Sequence, residues 1–514
     1  MIRQSPSIFN DIVGPAMVGP SSSHTCAPSR IGFLARQLLP GTLKKAIISF
    51  AKDGAYTMMY KGQRSDMGFV NGLLGNRPED PRLRDAFREA EKIGVEIQFK
   101  IEDFPAVVPN ISHITLENTK GERVVVHSDS TGGGTVKLLK IDEFDVEIVG
   151  DCYELIVWAD RSETHAQDLC SEIQSLSALD EGHSISEKSG KCLINIKYRE
   201  PLETELLDKI KSIPDVTKVI LMEPILTVLS NRHCSLPFSS AEEMLEYAHS
   251  SGRELWELAV EYEMERSGWT KKQVLDYMGY VVSTMEAGSQ EALKGDIDMS
   301  GILSPTAGKI ETFIKENPNA LDMGVLNTAV PWAMATMEYS SAMGVVLCAP
   351  TGGSAGIFPG AILGTAKHMG LNMEQKIRAM FVTTILGIVM SKDCNYSAEL
   401  YGCQVEPGAA SGMAAGGLVY LMGGTPEQIC KAASCAIQNI LGTICDPVAG
   451  LVQLPCINRN AMSVANSVVS ANMIMGGYDS LISLDQTAET LFRVGRQLPS
   501  ELRCTCRGGL CTTP

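Results

Sequence analysis

Apolar positions along this chain change their spacing at two places, and each regime predicts a different kind of structure. In residues 1–145 the β-branched runs LKKAIISFA (from Leu43) and ERVVVHSDS (from Glu122) predict strands. Between them PRLRDAFREAEKIG (from Pro81) has helical spacing and is ended by Gly94. This predicts a mixed α/β N-terminal domain. Residues 146–228 alternate in shorter pieces. VEIVGDCYELIVW is expected as a strand, THAQDLCSEIQSL as a helix, KCLINIKY as a strand, PLETELLDKIKSI as a helix and TKVILM as a strand. That order suggests a small ferredoxin-like module. The polar segment LSNRHCSLPFSS marks a linker over 229–239. Beyond it, residues 240–514 read as an all-helical domain rich in Ala, Gly and Met. TPEQICKAASCAIQNILG shows the signals, with Thr425 as N-cap, Pro426 as first helical residue and Gly442 as the stop. The fold class expected is multidomain α+β.

Composition narrows the function classes. A hydrophobic content of 44% and a charged content of 20% are those of a globular protein with a sizeable core. The formal net charge of −16 argues against nucleic acid and against an anionic membrane surface as partners. The apolar stretch from Gly344 to Leu363 is broken by Pro350, Pro359 and several glycines, so it predicts buried core and no membrane span. The N-terminus MIRQSPSIF has no secretory pattern, and a cytoplasmic location is expected. Fifteen cysteines in a reducing compartment stay unpaired, which leaves some as candidate metal ligands. Cys170, Cys192, Cys348, Cys430 and Cys435 are expected as small core residues.

Three cysteines occupy unusual settings. Cys403 stands in YGCQVEPG before a small-residue helix, Cys445 follows a helix stop in ICDPVAG, and Cys456 precedes a helix in LPCINRN. Thiols at helix ends face backbone N–H groups, which favours the thiolate that soft metals need. Three thiolates suit a four-iron cluster with one iron uncommitted.

At these residues the chain becomes recognisable. Its C-terminal half resembles the catalytic α domain of iron–sulfur-dependent L-serine dehydratases (L-serine ammonia-lyases), through AMGVVLCAPTGGSAGIFPG, YGCQVEPGAASGMAAGGL, GGTPEQICKAA and ICDPVAGLVQLPCINRNAM. The N-terminal part resembles that family's β domain through GPSSSHT (from Gly19) and STGGGT (from Ser130), and the middle module resembles an ACT-like domain. The resemblance implies a [4Fe-4S] cluster on Cys403, Cys445 and Cys456 and elimination of water from L-serine or a related β-hydroxy amino acid. It implies substrate binding by Ser21, Ser22, Ser23, Thr351, Gly352, Gly353 and Ser354, with His24 as the catalytic candidate. A homodimer through the ACT-like module is the expected assembly.

The chain departs from the family pattern where it reads Gln63 and Val108 in place of two histidines, and where Ser340 replaces an asparagine. These departures leave the general base and the exact substrate open, with His113 near the second of them. Glu338 and Lys392 stand as further contacts or as helix-surface charge, and Asp446 as the start of a turn before Pro447. Cys504, Cys506 and Cys511 near the C-terminus stand as a cluster lid or redox sensor, or as free thiols. Other readings are sulfide elimination from cysteine or a divergent hydro-lyase on the same fold, and a non-enzymatic sensor of amino acids and oxygen. A hydrolase is another, because Gly352-Gly353-Ser354-Ala355-Gly356 matches a nucleophile elbow, but His368 follows too closely for a usual triad. No glycine-rich phosphate cup accompanies a Schiff-base lysine, which argues against pyridoxal phosphate.

Overall fold

The computed structural model describes residues 5–160, 163–177, 180–391 and 395–513. Lys392 lies outside the described residues. The chain is mixed α+β, with two sizeable sheets followed by a long helical region.

The first sheet has six strands in the spatial order Glu96–Glu102, Leu43–Ala51, Ile111–Asn118, Arg123–Gly132, Thr135–Ile141 and Phe144–Ile148. Only the pairing of Leu43–Ala51 with Glu96–Glu102 is parallel. Along Arg123–Gly132 the residues Val124, Val126, Ser128 and Ser130 are buried on one face, as the two-residue period of a strand requires. Helices Ala27–Gln37 and Ser65–Leu73 cover the sheet and touch each other closely. Gly72 makes that approach possible, since a Cβ there would lie 1.9 Å from the Ser29 carbonyl oxygen. The segment expected as one helix from Pro81 is a 3-10 turn over Pro81–Asp85 followed by an α-helix over Ala86–Lys92.

VEIVGDCYELIVW is two strands in two different sheets, not one. Gly150, at φ +75°, turns the chain out of Phe144–Ile148 and into Tyr153–Ala159. A Cβ at Gly150 would meet Ile225 at 2.6 Å, so the turn has no room for another residue type. The second sheet is antiparallel in the order Val216–Met222, Tyr153–Ala159, Lys191–Tyr198 and Gly182–Lys188. With helices Glu163–Leu176 and Thr204–Lys211 this gives the βαββαβ order of a ferredoxin-like unit. The edge strand Gly182–Lys188 carries no sequence signal because its residues are polar and largely exposed, with no alternation.

The helical region runs from Ala241–Ser251 to Leu484–Gln497. Its central helices, Met373–Met390 and Pro407–Leu421, are buried along most of their length, and Met380, Met390 and Met413 pack in the core as expected. Helix Pro426–Gln438 starts on the Thr425 cap but ends four residues before Gly442, which instead supplies a positive φ in the following turn. The region is not all-helical. Strand Val345–Leu347 pairs antiparallel with Ala16–Val18 from the far end of the chain. This pairing was hidden because three residues give too short a pattern to read. Ile8, Phe9 and Ile12 also insert into the helical core, so the N-terminal segment is built into the same body. Among the described residues no helix is long and apolar enough to cross a membrane.

Candidate active site and thiol cluster

The N-terminal segment delivers its serine-rich turn directly onto the helical region. Ser21 caps the turn Ser22–Cys26 by accepting the His24 backbone N–H at 3.1 Å. Ser22 Oγ accepts the Gly352 N–H at 3.1 Å, and a Cβ on Gly352 would lie 2.8 Å from the Ser22 nitrogen. Ser23 lies 2.9 Å from His24 Nδ1, and its carbonyl accepts the Ser130 hydroxyl at 2.8 Å. The two serine- and glycine-rich loops singled out in the sequence are therefore neighbours, 330 residues apart in the chain.

The Thr351–Ser354 turn has a second contact that ties it to the cysteines. Thr351 Oγ1 donates to Glu406 at 2.6 Å, and Cys403 Sγ lies 3.7 Å from the other oxygen of that carboxylate. A Cβ on Gly353 would stand 3.2 Å from Glu406, so this side of the turn must be bare. Ser354 Oγ folds back on Thr351, at 3.1 Å from its hydroxyl, and braces the turn. Ser354 is fully buried and His368 is exposed at the end of helix Thr365–His368, so His368 does not serve as base to a Ser354 nucleophile.

Cys403 opens a short 3-10 turn, Cys445 lies in a loop, and Cys456 is the first residue of helix Cys456–Met475. The ligand atoms of Cys403, Glu406 and Cys445 lie within 4.8 Å of one another. Thiol contacts link Cys403 to Cys445 and Cys445 to Cys504. Cys456 stands close enough to Cys403 for their charges to interact. Contrary to the expectation of easily formed thiolates, all three thiols are pushed well above their usual range. For Cys403 the contact with Cys445 is the largest cause, followed by burial. For Cys445 the Cys403 contact pulls down and is outweighed by the Cys504 contact and burial, and for Cys456 burial leads. Several sulfurs confined together resist becoming several anions unless a cation joins them. The buried sulfurs of Cys403 and Cys445 with the Glu406 carboxylate form a donor set that fits a metal, while Cys456 is half-buried and lies outside that closest group.

Around this group the polar side chains are unusually short of partners. His24 is fully buried, its Nε2 has no hydrogen-bond partner among the described residues, and its Nδ1 faces Glu399 at 3.6 Å. Burial lowers the His24 pKa below the usual value, with Glu399 opposing. Asp129 is lifted to about 7 by burial and then by Glu399, and Glu406 to about 7 by burial. Tyr56 packs edge-on against the His24 ring at 5.2 Å, and its hydroxyl lies toward Ser130 without hydrogen-bond geometry. Gln63 is buried here, with its carbonyl accepting Thr25 Oγ1 at 2.6 Å and its amide against Met59 Sδ. Val108 is half-buried beside Pro109, whose carbonyl accepts the Ala55 N–H. His113 stacks between Phe104 and His127, and burial lowers it to about 4.

Other sequence candidates have structural roles. Glu338 is buried and caps helix Ala307–Glu316, accepting Thr306 N at 2.8 Å and Ala307 N at 3.0 Å. Asp446 pairs with Arg459 at 2.8 Å and accepts the Leu510 N–H at 2.9 Å, pinning the C-terminal segment beside Cys445. Glu399 and Glu406 have no place among the sequence candidates, whereas Cys504, a candidate there as lid, sensor or free thiol, contacts Cys445. Glu406, three residues after Cys403, was visible as an acid in a cysteine motif, whereas nothing local marks Glu399.

Residues 250–511 match the family model described as serine dehydratase alpha chain. The chain is 36% identical to a probable L-serine dehydratase alpha chain of Bacillus subtilis, over 54% of this chain and 92% of that one. It is 27% identical to the L-serine dehydratase TdcG and 25% identical to L-serine dehydratase 2, both of Escherichia coli, over 96% of each chain in both cases. The match spans half of the chain by model and nearly all of it in relatives of similar length, so this chain belongs to the serine dehydratase alpha-chain family.

Proposed function

We propose that this protein is an L-serine ammonia-lyase, converting L-serine to pyruvate and ammonia, with a [4Fe-4S] cluster on Cys403, Cys445 and Cys456. One observation carries the reading: the buried thiol group is joined through Glu406 to the Thr351 turn, which in turn meets the serine loop that holds His24. The names of the full-length relatives support the same substrate. The proposal keeps three units, with the first boundary at the Gly150 turn, and a homodimer paired through the ferredoxin-like unit.

Cys403, Cys445 and Cys456 would hold the cluster, which would supply Lewis acidity toward the substrate's hydroxyl, since hydroxide is otherwise a poor leaving group. The chain's own residues do the rest. The Ser21 and Ser22 hydroxyls each accept one backbone N–H, from His24 and from Gly352, and keep their own proton to donate to the substrate carboxylate. Ser23 belongs to the same loop and contacts His24. Thr351 and Ser354 hold the Gly352–Gly353 backbone in place against Glu406. Burial keeps His24 neutral near pH 7, so the free lone pair on Nε2 is available to take the Cα proton. The enamine released tautomerises to an imine, which water hydrolyses to pyruvate and ammonia.

Turnover of L-serine by anaerobically prepared protein tests this directly. Pyruvate and ammonia should appear in equal amounts, and activity should fall together with iron content on exposure to air. Protein carrying about four irons that releases no keto acid from L-serine would overturn the assignment. Sulfide release from L-cysteine outpacing that reaction would move it to a desulfidase.

A further inference from the structure

His24 is the one histidine the fold buries among the serine loop, the Thr351 turn and the cysteine loops, and its surroundings are asymmetric. Nδ1 faces Glu399 Oε1 at 3.6 Å and Ser23 Oγ at 2.9 Å, whereas Nε2 faces no partner among the described residues. Glu399 is itself buried, at 5% exposure, and its other oxygen accepts the Ser397 hydroxyl at 2.9 Å. Ser397 is in turn pressed against Gly132, where a Cβ would lie 2.5 Å from the Ser397 Cβ. The carboxylate is thus held from behind by the sheet's glycine turn and presents its free oxygen to the imidazole.

We infer that Glu399 is the positioning residue of an acid–histidine pair, holding His24 in the tautomer protonated at Nδ1 and leaving Nε2 as the proton acceptor. A carboxylate has only lone pairs to offer, so the nitrogen facing it is the one that carries hydrogen. The 3.6 Å separation is longer than a hydrogen bond, and such contacts tighten when substrate fills the site. In the step this serves, the Cα–H bond breaks toward Nε2 and its electron pair forms the C=C bond. The Cβ–O bond breaks at the same time, and the departing hydroxide takes the proton from the imidazolium to leave as water. Glu399 stabilises the imidazolium in between, as the acid does in other acid–histidine arrangements.

The inference rests on His24 acting as the base in the proposed reaction. The charged and titratable groups on the elements packed around His24 are few. Glu399 acts on it directly and Tyr56 touches its ring. Arg30 of helix Ala27–Gln37 is turned to the Gly134 carbonyl at 2.6 Å. Asp66 of helix Ser65–Leu73 is influenced by Arg64 and Lys61, and Asp129 of strand Arg123–Gly132 by Glu399.

The test compares wild type with Glu399→Gln, Glu399→Asp and His24→Asn, prepared anaerobically and normalised to bound iron, with kcat and kcat/KM followed against pH. Glu399→Gln should lower kcat by up to about 10⁴-fold, the loss when an acid no longer sets the tautomer of a catalytic histidine. It should also move the acid limb of kcat/KM to lower pH, because the charge that raises His24 is gone. Glu399→Asp should recover part of kcat and restore the limb. If His24→Asn abolishes turnover but Glu399→Gln leaves both kcat and the limb unchanged, the pair is wrong while the base stands. If His24→Asn keeps wild-type kcat, the base assignment fails and the pair with it. Should Glu399→Gln fold poorly, iron content and thermal melting report it, and the limb measured on the folded fraction with Glu399→Asp still decides.

Discussion

Buried glutamates inside the helical region and at its seam with the first sheet differ, and their contrast separates structure from chemistry. Inside the helical region Glu263 accepts the Ser7 hydroxyl and the Ile8 N–H, both at 2.7 Å, and Glu338 accepts two backbone N–H groups and the Thr306 hydroxyl. Each fastens one chain segment to another and has its oxygens occupied. At the seam where the first sheet and the serine loop meet the cysteine loops, Glu399 keeps one oxygen without a hydrogen bond, and His24 keeps one nitrogen. Orphaned buried polar atoms cost about 1–3 kcal/mol each, and a fold that tolerates several in one place is holding them for a ligand. The first setting holds the body together, and the second is poised for reaction.

The largest effect should come from the cysteines. Cys445→Ser is expected to remove most of the bound iron and all turnover, measured by iron and sulfide analysis of anaerobic protein. Retention of full iron would show that Cys445 is not a ligand. Next, His24→Asn should lower kcat by about 10²–10⁴-fold at unchanged iron, which isolates proton transfer from cluster assembly. The structural glutamates should behave oppositely. Glu338→Ala should cost about 1–3 kcal/mol of stability by leaving the Thr306 and Ala307 N–H groups unpaired, while activity per folded, iron-loaded chain stays at wild type. A loss of activity without a loss of stability would place Glu338 in the reacting setting. The smallest effect concerns Glu263, which burial lifts from 4.5 to about 7. A folded pKa above the unfolded one means the folded state holds the proton longer, so stability is greatest below about 4.5 and declines as pH rises to about 7. Glu263→Gln should flatten that part of the stability profile, read as melting temperature against pH.

Much of this was legible in the sequence, for reasons that differ by element. Leu43–Ala51 emerged with the bounds predicted for it because it is a long β-branched run, and the Thr425 cap because its side chain and Pro426 act locally. The three cysteines stood out by motif, and the Ser21–Ser23 and Thr351–Ser354 loops by residue type. What escaped depends on distant neighbours. The strand Gly182–Lys188 is polar because it lies at an edge, and Val345–Leu347 becomes a strand only by meeting Ala16–Val18. Glu399 looks like any helix-end acid until the fold turns it toward His24. Glu338 looked equally like a substrate contact until its oxygens were seen to cap a helix. Burial, which fixes the role of each of these acids, has no local signature.

Three cysteine ligands to four irons would leave one iron free to meet the substrate. Mössbauer spectra of protein enriched in iron-57, recorded anaerobically with and without L-serine, examine that iron itself. One iron site in about four should shift its signal when L-serine is added, the others staying as they were. Four irons indifferent to L-serine, in protein that is turning it over, would contradict a free iron site.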